Sequence, residues 1–321
     1  MLFDIRPMDL DDPRDLEYFV AGEQTTEQEN GLSLEEGSAD REAHRRELVE
    51  FVTGQTCKAT LCLESESGQR AGIVWVSTLD HGEPWDVGCP YAWIYDVRVE
   101  PAHRRSGFGK RLLESAEAWS AEQDFARIGL HALASNQPAV RLYESAGYET
   151  RNAYFQKMLE PGTSADSHSV PQREIERIPD ADASWVRALV QARFARLAQS
   201  TGTADPQEVE RLYSAYETAY GSRERDEIVF AAHNQDGEPI GVAWGYVSSG
   251  DLTADRYVWV RDLCVSDPQE PSGMLERLLE HVEDWARQRE LPTVRVPVHR
   301  METGLWKALE TRNYDATNLF S

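Results

Sequence analysis

The chain has 321 residues, enough for two domains of ordinary size, and its 40% apolar residues suffice for real cores. Its 33 lysines and arginines against 56 aspartates and glutamates leave a formal net charge of −23, which excludes general nucleic-acid binding because that needs a basic footprint. No apolar run approaches a membrane span, the start Met1-Leu-Phe-Asp lacks a signal-peptide pattern, and the four cysteines show neither CxxC nor metal-site spacing; the expectation is a cytoplasmic protein with no metal and no membrane or nucleic-acid partner.

In chain order, Leu2 to Pro7 predicts a strand, and Asp11 to Val20 and Ser38 to Val52 predict helices, the second with Ser38 as N-cap and Gly54 as stop. Thr56 to Glu64 and Ala71 to Thr78 predict an antiparallel pair turning near Ser67-Gly68-Gln69, followed by a loop from Asp80 to Pro90. Tyr91 to Val99, rich in β-branched and aromatic residues, predicts a strand that Pro101 ends. A basic turn follows, Arg104-Arg105-Ser106-Gly107-Phe108-Gly109-Lys110, and then an amphipathic helix whose Leu112, Leu113, Ala116 and Trp119 share one face. Arg127 to Leu133 predicts a strand, Pro138 to Ala146 a helix and Ala153 to Leu159 a last strand, before the polar stretch Glu160 to Gln172.

A strand that enters a helix through a short glycine turn makes an anion site. The first N–H groups of the helix have no intrahelical partner, the helix dipole adds positive charge there, and glycines leave room for a ligand against the main chain. Arg104, Arg105, Lys110 and Arg111 add charge at the mouth.

Arg104-x-x-Gly107-x-Gly109 resembles the acetyl-CoA loop of the GNAT superfamily of N-acetyltransferases, and Asn136-x-x-Ala139-x-x-Leu142-Tyr143-x-x-x-Gly147-Tyr148 is similar to that family's closing segment. Beyond the polar stretch the order of elements begins again. Gly107 recurs as Gly273, 166 positions on, and the same offset takes Trp93 to Trp259, Asp96 to Asp262, Leu112-Leu113 to Leu278-Leu279, Trp119 to Trp285 and Tyr148 to Tyr314. The groups that would handle CoA are not repeated: Arg104 becomes Glu270, Gly109 becomes Leu275, Lys110 becomes Glu276, Asn136 becomes Glu302 and Tyr143 becomes Leu309.

The resemblance implies a mixed α/β fold of two tandem GNAT-like domains, each a central, mostly antiparallel sheet flanked by helices. Their expected limits are 1–159 for the N-terminal catalytic domain, 160–172 for a linker and 173–321 for a degenerate second copy. It further implies acetyl-CoA as cosubstrate, direct attack of a primary amine on the thioester, and a monomer or homodimer. The strand before the loop splays from its neighbour at a bulge in that family, so the main chains of Val97, Arg98 and Val99 would hold the pantetheine. Arg104, Arg105, Ser106, Gly107, Phe108, Gly109 and Lys110 would hold the pyrophosphate. Asn136 would contact CoA, and Tyr143 would contact it and act as general acid. The base is Asp96 or His131, the latter having the better intrinsic pKa but also reading as an ordinary core histidine. Glu83, Trp85, Asp86 and Tyr91 are candidates for receiving a cationic, partly apolar amine of a small molecule. Length and tandem layout also resemble the mycothiol synthases, whose working copy is the C-terminal one, whereas here the motifs favour the N-terminal half. The alternative function is a non-catalytic acyl-CoA sensor or scaffold.

Overall fold

The computed structural model describes residues 2–29, 39–54, 57–79, 91–160, 175–178, 184–200, 205–207, 209–211, 213–214, 226–249, 256–267 and 273–320. The first half runs β1 (Phe3–Pro7), α1 (Pro13–Glu29), α2 (Ala39–Gly54), β2 (Lys58–Ser65), β3 (Arg70–Leu79), β4 (Tyr91–Val99), α3 (Phe108–Glu122), β5 (Ile128–Leu133), α4 (Gln137–Ser145) and β6 (Asn152–Met158). The second half runs β7 (Ile175–Ile178), α5 (Ser184–Ser200), β8 (Glu227–His233), β9 (Pro239–Ser249), β10 (Arg256–Val265), α6 (Met274–Gln288), β11 (Thr293–His299), α7 (Thr303–Thr311) and β12 (Asp315–Phe320). The expected elements are present, with α1 nine residues longer at its C-terminal end and a 3₁₀ turn, Pro101–His103, between β4 and the basic loop. Ser38, the 80–90 loop and nearly all of the 160–172 stretch lie outside the described residues.

Each half is mostly antiparallel with one parallel pair, β4 with β5 and β10 with β11. In the first half, α3 packs Leu112, Leu113 and Ala116, all fully buried, on one face of the sheet, and α1 and α2 bring Phe19, Val20 and Val52 to the other. The second half repeats this with Leu278, Leu279 and Val282 of α6 on one face and Val186 and Val190 of α5 on the other.

The two halves share one sheet in the order β1-β2-β3-β4-β5-β12-β6-β11-β10-β9-β8-β7. The order is palindromic, and its centre is an exchange. The last strand of the first half, β6, pairs along its full length with β11 of the second, while the last strand of the second, β12, pairs with β5 of the first through Leu133, Ala132 and His131. The two exchanged strands lie antiparallel to each other. A division at residue 159 therefore follows the chain but not the sheet, and neither half holds a complete sheet of its own strands.

Candidate active site

Strand β4 organises the site through one extra residue. Trp75 of β3 faces Asp96 while Val76 faces Ile94, so Tyr95 bulges out of the ladder. The bulge resets the side-chain alternation. Ile94, Val97 and Val99 join the core under α3, while Tyr95 joins Phe19 and Trp75 on the α1 side. Pairing with β5 ends at Ile94 opposite Leu130, so β4 from Asp96 onward has no register partner on that side. The expected splay and bulge are both present. Backbone groups of Val97, Arg98 and Val99 face a cleft, where buried polar main chain needs a partner.

At the end of β4 the guanidinium of Arg104 donates from Nε to the Val99 carbonyl at 3.1 Å. Arg105 takes a positive φ of 64°, and Gly107, at φ 81°, caps α3 with no side-chain hydrogen bond. The first intrahelical bond runs from the Arg111 N–H to the Gly107 carbonyl. The N–H groups of Phe108, Gly109 and Lys110 thus stand ahead of the ladder, as an anion requires. The two glycines do different jobs. A Cβ on Gly107 would meet nothing, so only its φ demands glycine, whereas a Cβ on Gly109 would lie 2.9 Å from Leu142 of α4. Glycine at 109 therefore also leaves clearance for the closing helix.

One cavity of about 750 Å³ gathers the predicted residues, within the range of ligand pockets. Asp96, Val97, Arg98, Val99, Arg104, Arg105, Gly107, Phe108, Gly109, Lys110, His131, Asn136 and Tyr143 all line it; Ser106 does not. Asn136 caps α4, its Oδ1 accepting from the Ala139 N–H at 3.3 Å. Tyr143 is pushed up to about 12 by burial and by the negative charge of Asp96, so it stays protonated at neutral pH. His131 is exposed on the cavity wall, not a core histidine. Tyr91 is buried against Trp93, under the Arg127 guanidinium, and does not line the cavity; Glu83, Trp85 and Asp86 lie outside the described residues.

Asp96 is buried beside the side chains of Arg98 and Glu23, of which only Arg98, through its main chain, was expected at the site. Arg98 Nη1 lies 3.5 Å from Asp96 Oδ2 and 3.9 Å from Glu23 Oε1 of α1. Burial raises the pKa of Asp96, while the hydrogen bond from Glu23 and the Arg98 charge oppose it. The Arg98 side chain, expected to matter only through its backbone, crosses α1 where a Cβ on Gly22 would collide with it. Its Nη2 donates to the Tyr18 carbonyl at 3.4 Å. The available signal for Glu23 was a charge set in the helical stripe Leu16, Phe19, Val20, Glu23.

The second half keeps the frame and alters the contents. β10 bulges at Arg261, between Val260 and Asp262, and Gly273 caps α6 at φ 66°. Arg193 of α5, 4% exposed, donates from Nη1 to Asp262 at 3.1 Å and from Nε and Nη2 to the two oxygens of Glu302 at 2.6 and 2.9 Å. Glu302 caps its helix at the position Asn136 holds in the first half.

The acetyltransferase (GNAT) family matches this chain twice, over residues 27–148 and 193–307. Over 88 residues, 27% of this chain and 53% of the relative, it is 28% identical to the uncharacterized N-acetyltransferase YycN of Bacillus subtilis (strain 168). Over 89 residues, 28% of each chain, it is 30% identical to a mycothiol acetyltransferase of Thermobifida fusca (strain YX). The chain thus spans about half or less of the length of these curated relatives. A GCN5-related N-acetyltransferase from Sphaerobacter thermophilus matches across 100% of this chain and 96% of its own, with a TM-score of 0.55 at 17% identity, a likeness of fold. No helix among the described residues is long and apolar enough to cross a membrane.

Proposed function

Because the chain belongs to the acetyltransferase (GNAT) family, we propose that its first half binds acetyl-CoA and transfers the acetyl group to a primary amine of a small molecule, while the second half does no chemistry. The observation that carries this reading is the single cavity in which an uncapped helix start, an unpaired length of β4 backbone and the Tyr143 hydroxyl meet. Phe108, Gly109 and Lys110 N–H groups with Arg104 and Arg105 would hold the pyrophosphate, and the main chain of Val97 to Val99 the pantetheine.

The amine lone pair attacks the thioester carbonyl carbon, forming the C–N bond as the C–S bond breaks and its electron pair leaves on sulfur. Tyr143 gives that sulfur its proton. A phenol near 12 is a weaker acid than a thiol near 8.5, so the hydroxyl acts first as a hydrogen-bond donor to the sulfur as negative charge builds on it, and any proton it gives up is restored from the surplus proton of the amine. The surplus proton of the amine goes to a base on the opposite, α1 side of β4. Asp96 is placed there by the bulge, and burial makes it more basic than an ordinary carboxylate.

Calorimetric titration with acetyl-CoA tests the reading, beside thiol release with an amine for wild type and Tyr143→Phe. One site per chain with unchanged affinity in Tyr143→Phe, and a turnover about 100-fold lower or less, is expected. Equal turnover in the variant would remove Tyr143 from the chemistry, and no acetyl-CoA binding would end the transferase reading.

A further inference from the structure

A second cavity lies at the outer edge of the first half and shares no lining residue with the cleft described above. It arises from unequal strand lengths. β1 ends at Pro7, opposite Leu61, a residue suited to the last place of an edge strand. Met8 adds one more bond, its N–H donating to the Thr60 carbonyl at 2.8 Å. β2 begins at Lys58, so its first residues run past the end of β1. The space beside them is a cavity of about 500 Å³, within the range of ligand pockets. Met8, Leu10, Leu61 and Trp119 give it apolar wall, and Lys58, Thr60 and Asp11 are its charged and hydroxyl groups.

Thr60 is 6% exposed, and its Oγ1 has no hydrogen-bond partner among the described residues. Burying a hydroxyl without a partner costs stability, and such a group in a native fold asks for a reason. Lys58, two residues away on the same strand face, donates to the Val52 and Thr53 carbonyls at the C-terminal end of α2, the second at 3.0 Å. That uses two of its three N–H groups. Burial lowers the pKa of this ammonium, and the charge of Asp11, exposed at the rim, opposes the shift.

The second half shows what these groups are missing. Thr60 pairs with Trp75 and Val229 with Trp244, and each tryptophan in turn pairs with the aspartate at the bulge. Thr60 therefore corresponds to Val229, and Lys58 to Glu227. One strand further out, the same registers align Ile5 with Ile175, an offset of 170. Val229 is 3% exposed and packs in the apolar core with Val186 and Val190 of α5, so the frame needs no hydroxyl at this place. Glu227 Oε2 accepts from Trp244 Nε1 at 3.3 Å. The corresponding Trp75 Nε1 is buried with no partner among the described residues. The second half thus carries a carboxylate in its own chain, whereas the first half has a cation in its place, an added hydroxyl, and a cavity beside both.

We infer that this cavity is a second ligand site, for a small organic acid whose carboxylate accepts from the Thr60 hydroxyl and the Lys58 ammonium while its apolar body lies along Leu61 and Trp119. The site is independent of the transferase reading. Hydrogen bonds to an ionised carboxylate are the strong kind, and they satisfy a buried donor that an apolar molecule would leave unmet. An organic ammonium would instead meet the Lys58 charge.

The full chain is titrated calorimetrically with hexanoate, 3-phenylpropionate and indole-3-acetate, and with hexanol and hexylamine, each with and without acetyl-CoA. Wild type is compared with Thr60→Val, which copies Val229, and with Lys58→Gln. One acid site per chain is expected, with no binding of hexylamine, about tenfold weaker binding of hexanol, and about tenfold weaker acid binding in each variant. Acetyl-CoA should leave acid affinity unchanged. Without acid, Thr60→Val should melt about 2 °C above wild type, because it removes a buried hydroxyl that lacks a partner. A lower Tm for that variant would mean that the protein already satisfies the hydroxyl, and it overturns the inference. So do absence of saturable binding by all three acids, hexanol binding as tightly as hexanoate, and equal acid affinity in Thr60→Val. Displacement of the acid by acetyl-CoA would place it in the other cleft and overturns the inference too.

Discussion

The two halves hold the same frame around opposite contents. Both bulge at the residue before an aspartate, so both break the alternation of their apolar strand face with a three-residue step, Ile94 to Val97 in one and Val260 to Leu263 in the other. Both start the following helix from a left-handed glycine. They part at a handful of side chains. Lys110, Tyr95 and Asn136 line an open cavity, whereas at the corresponding positions Arg261 pairs with Asp262 and Glu302 with Arg193, and Glu276 places a carboxylate at the helix start. Frame and chemistry are therefore separable: the bulge is held by core packing, and the site by polar residues that the core does not need.

The exchange of β6 and β12 ties these unlike halves together, and breaking it should have the largest effect. Without β12, β5 and β6 would each expose an unpaired edge at the centre of the sheet. A chain ending at residue 314 is expected to be insoluble or aggregated, and a fragment of residues 1–160 to elute as a dimer or larger, because its β6 lacks the β11 it pairs with. Size exclusion with circular dichroism decides the matter. A monomeric 1–160 fragment that binds acetyl-CoA would show that the first half needs nothing from the second.

Sequence patterns were enough to find the elements, their order and many of the residues lining the cavity, though not Tyr95 or Thr26, because periodicity, glycine turns and motif spacing are local. The exchange was not legible. Tyr154 of β6 and Phe320 of β12 occupy the same position 166 residues apart, so the two strands present like patterns, and either could complete either sheet. Arg193 was missed for a related reason: an arginine in a helix reads as a solvated charge until its partners, Asp262 and Glu302, are brought against it from 69 and 109 residues away. The bulge was readable in principle from the three-residue steps in both strands.

A pH measurement sharpens the comparison at the outer edge of the sheet. Asp15 of α1 is held down to about 2, chiefly by its hydrogen bond from Arg6, with the Asp9 N–H and Arg70 assisting. At the offset of 170, Arg6 becomes Glu176 and Asp15 becomes Trp185, so the second half has no counterpart. A carboxyl lowered on folding stabilises the fold above its unfolded pKa near 4, and that contribution drains away as pH falls through about 2. The Tm gap between wild type and Asp15→Asn should be full above pH 5, narrow from pH 4 downward and close below pH 2. A gap that stays constant with pH would assign the effect to packing rather than to ionisation.

The smallest expected effect separates frame from chemistry most cleanly. Gly107 and Gly273 share a positive φ, and a Cβ on either has space, with nothing within 4 Å of the first and only the Glu276 carboxylate, at 3.8 Å, near the second. Alanine at each should therefore cost the same backbone strain, about 1 kcal/mol once the stiffer unfolded chain offsets part of the left-handed penalty. Thermal melts of Gly107→Ala and Gly273→Ala should shift by similar amounts. Acetyl-CoA titration should not treat them alike. Moving the N–H groups of Phe108 to Lys110 disturbs the surface proposed to hold the pyrophosphate, so Gly107→Ala should weaken binding by about tenfold, equivalent to 1.4 kcal/mol. Gly273→Ala should leave binding unchanged, because Glu276 already occupies the corresponding helix start. Equal weakening by both variants would mean that the second half also takes CoA and that its internal ion pairs open to admit it.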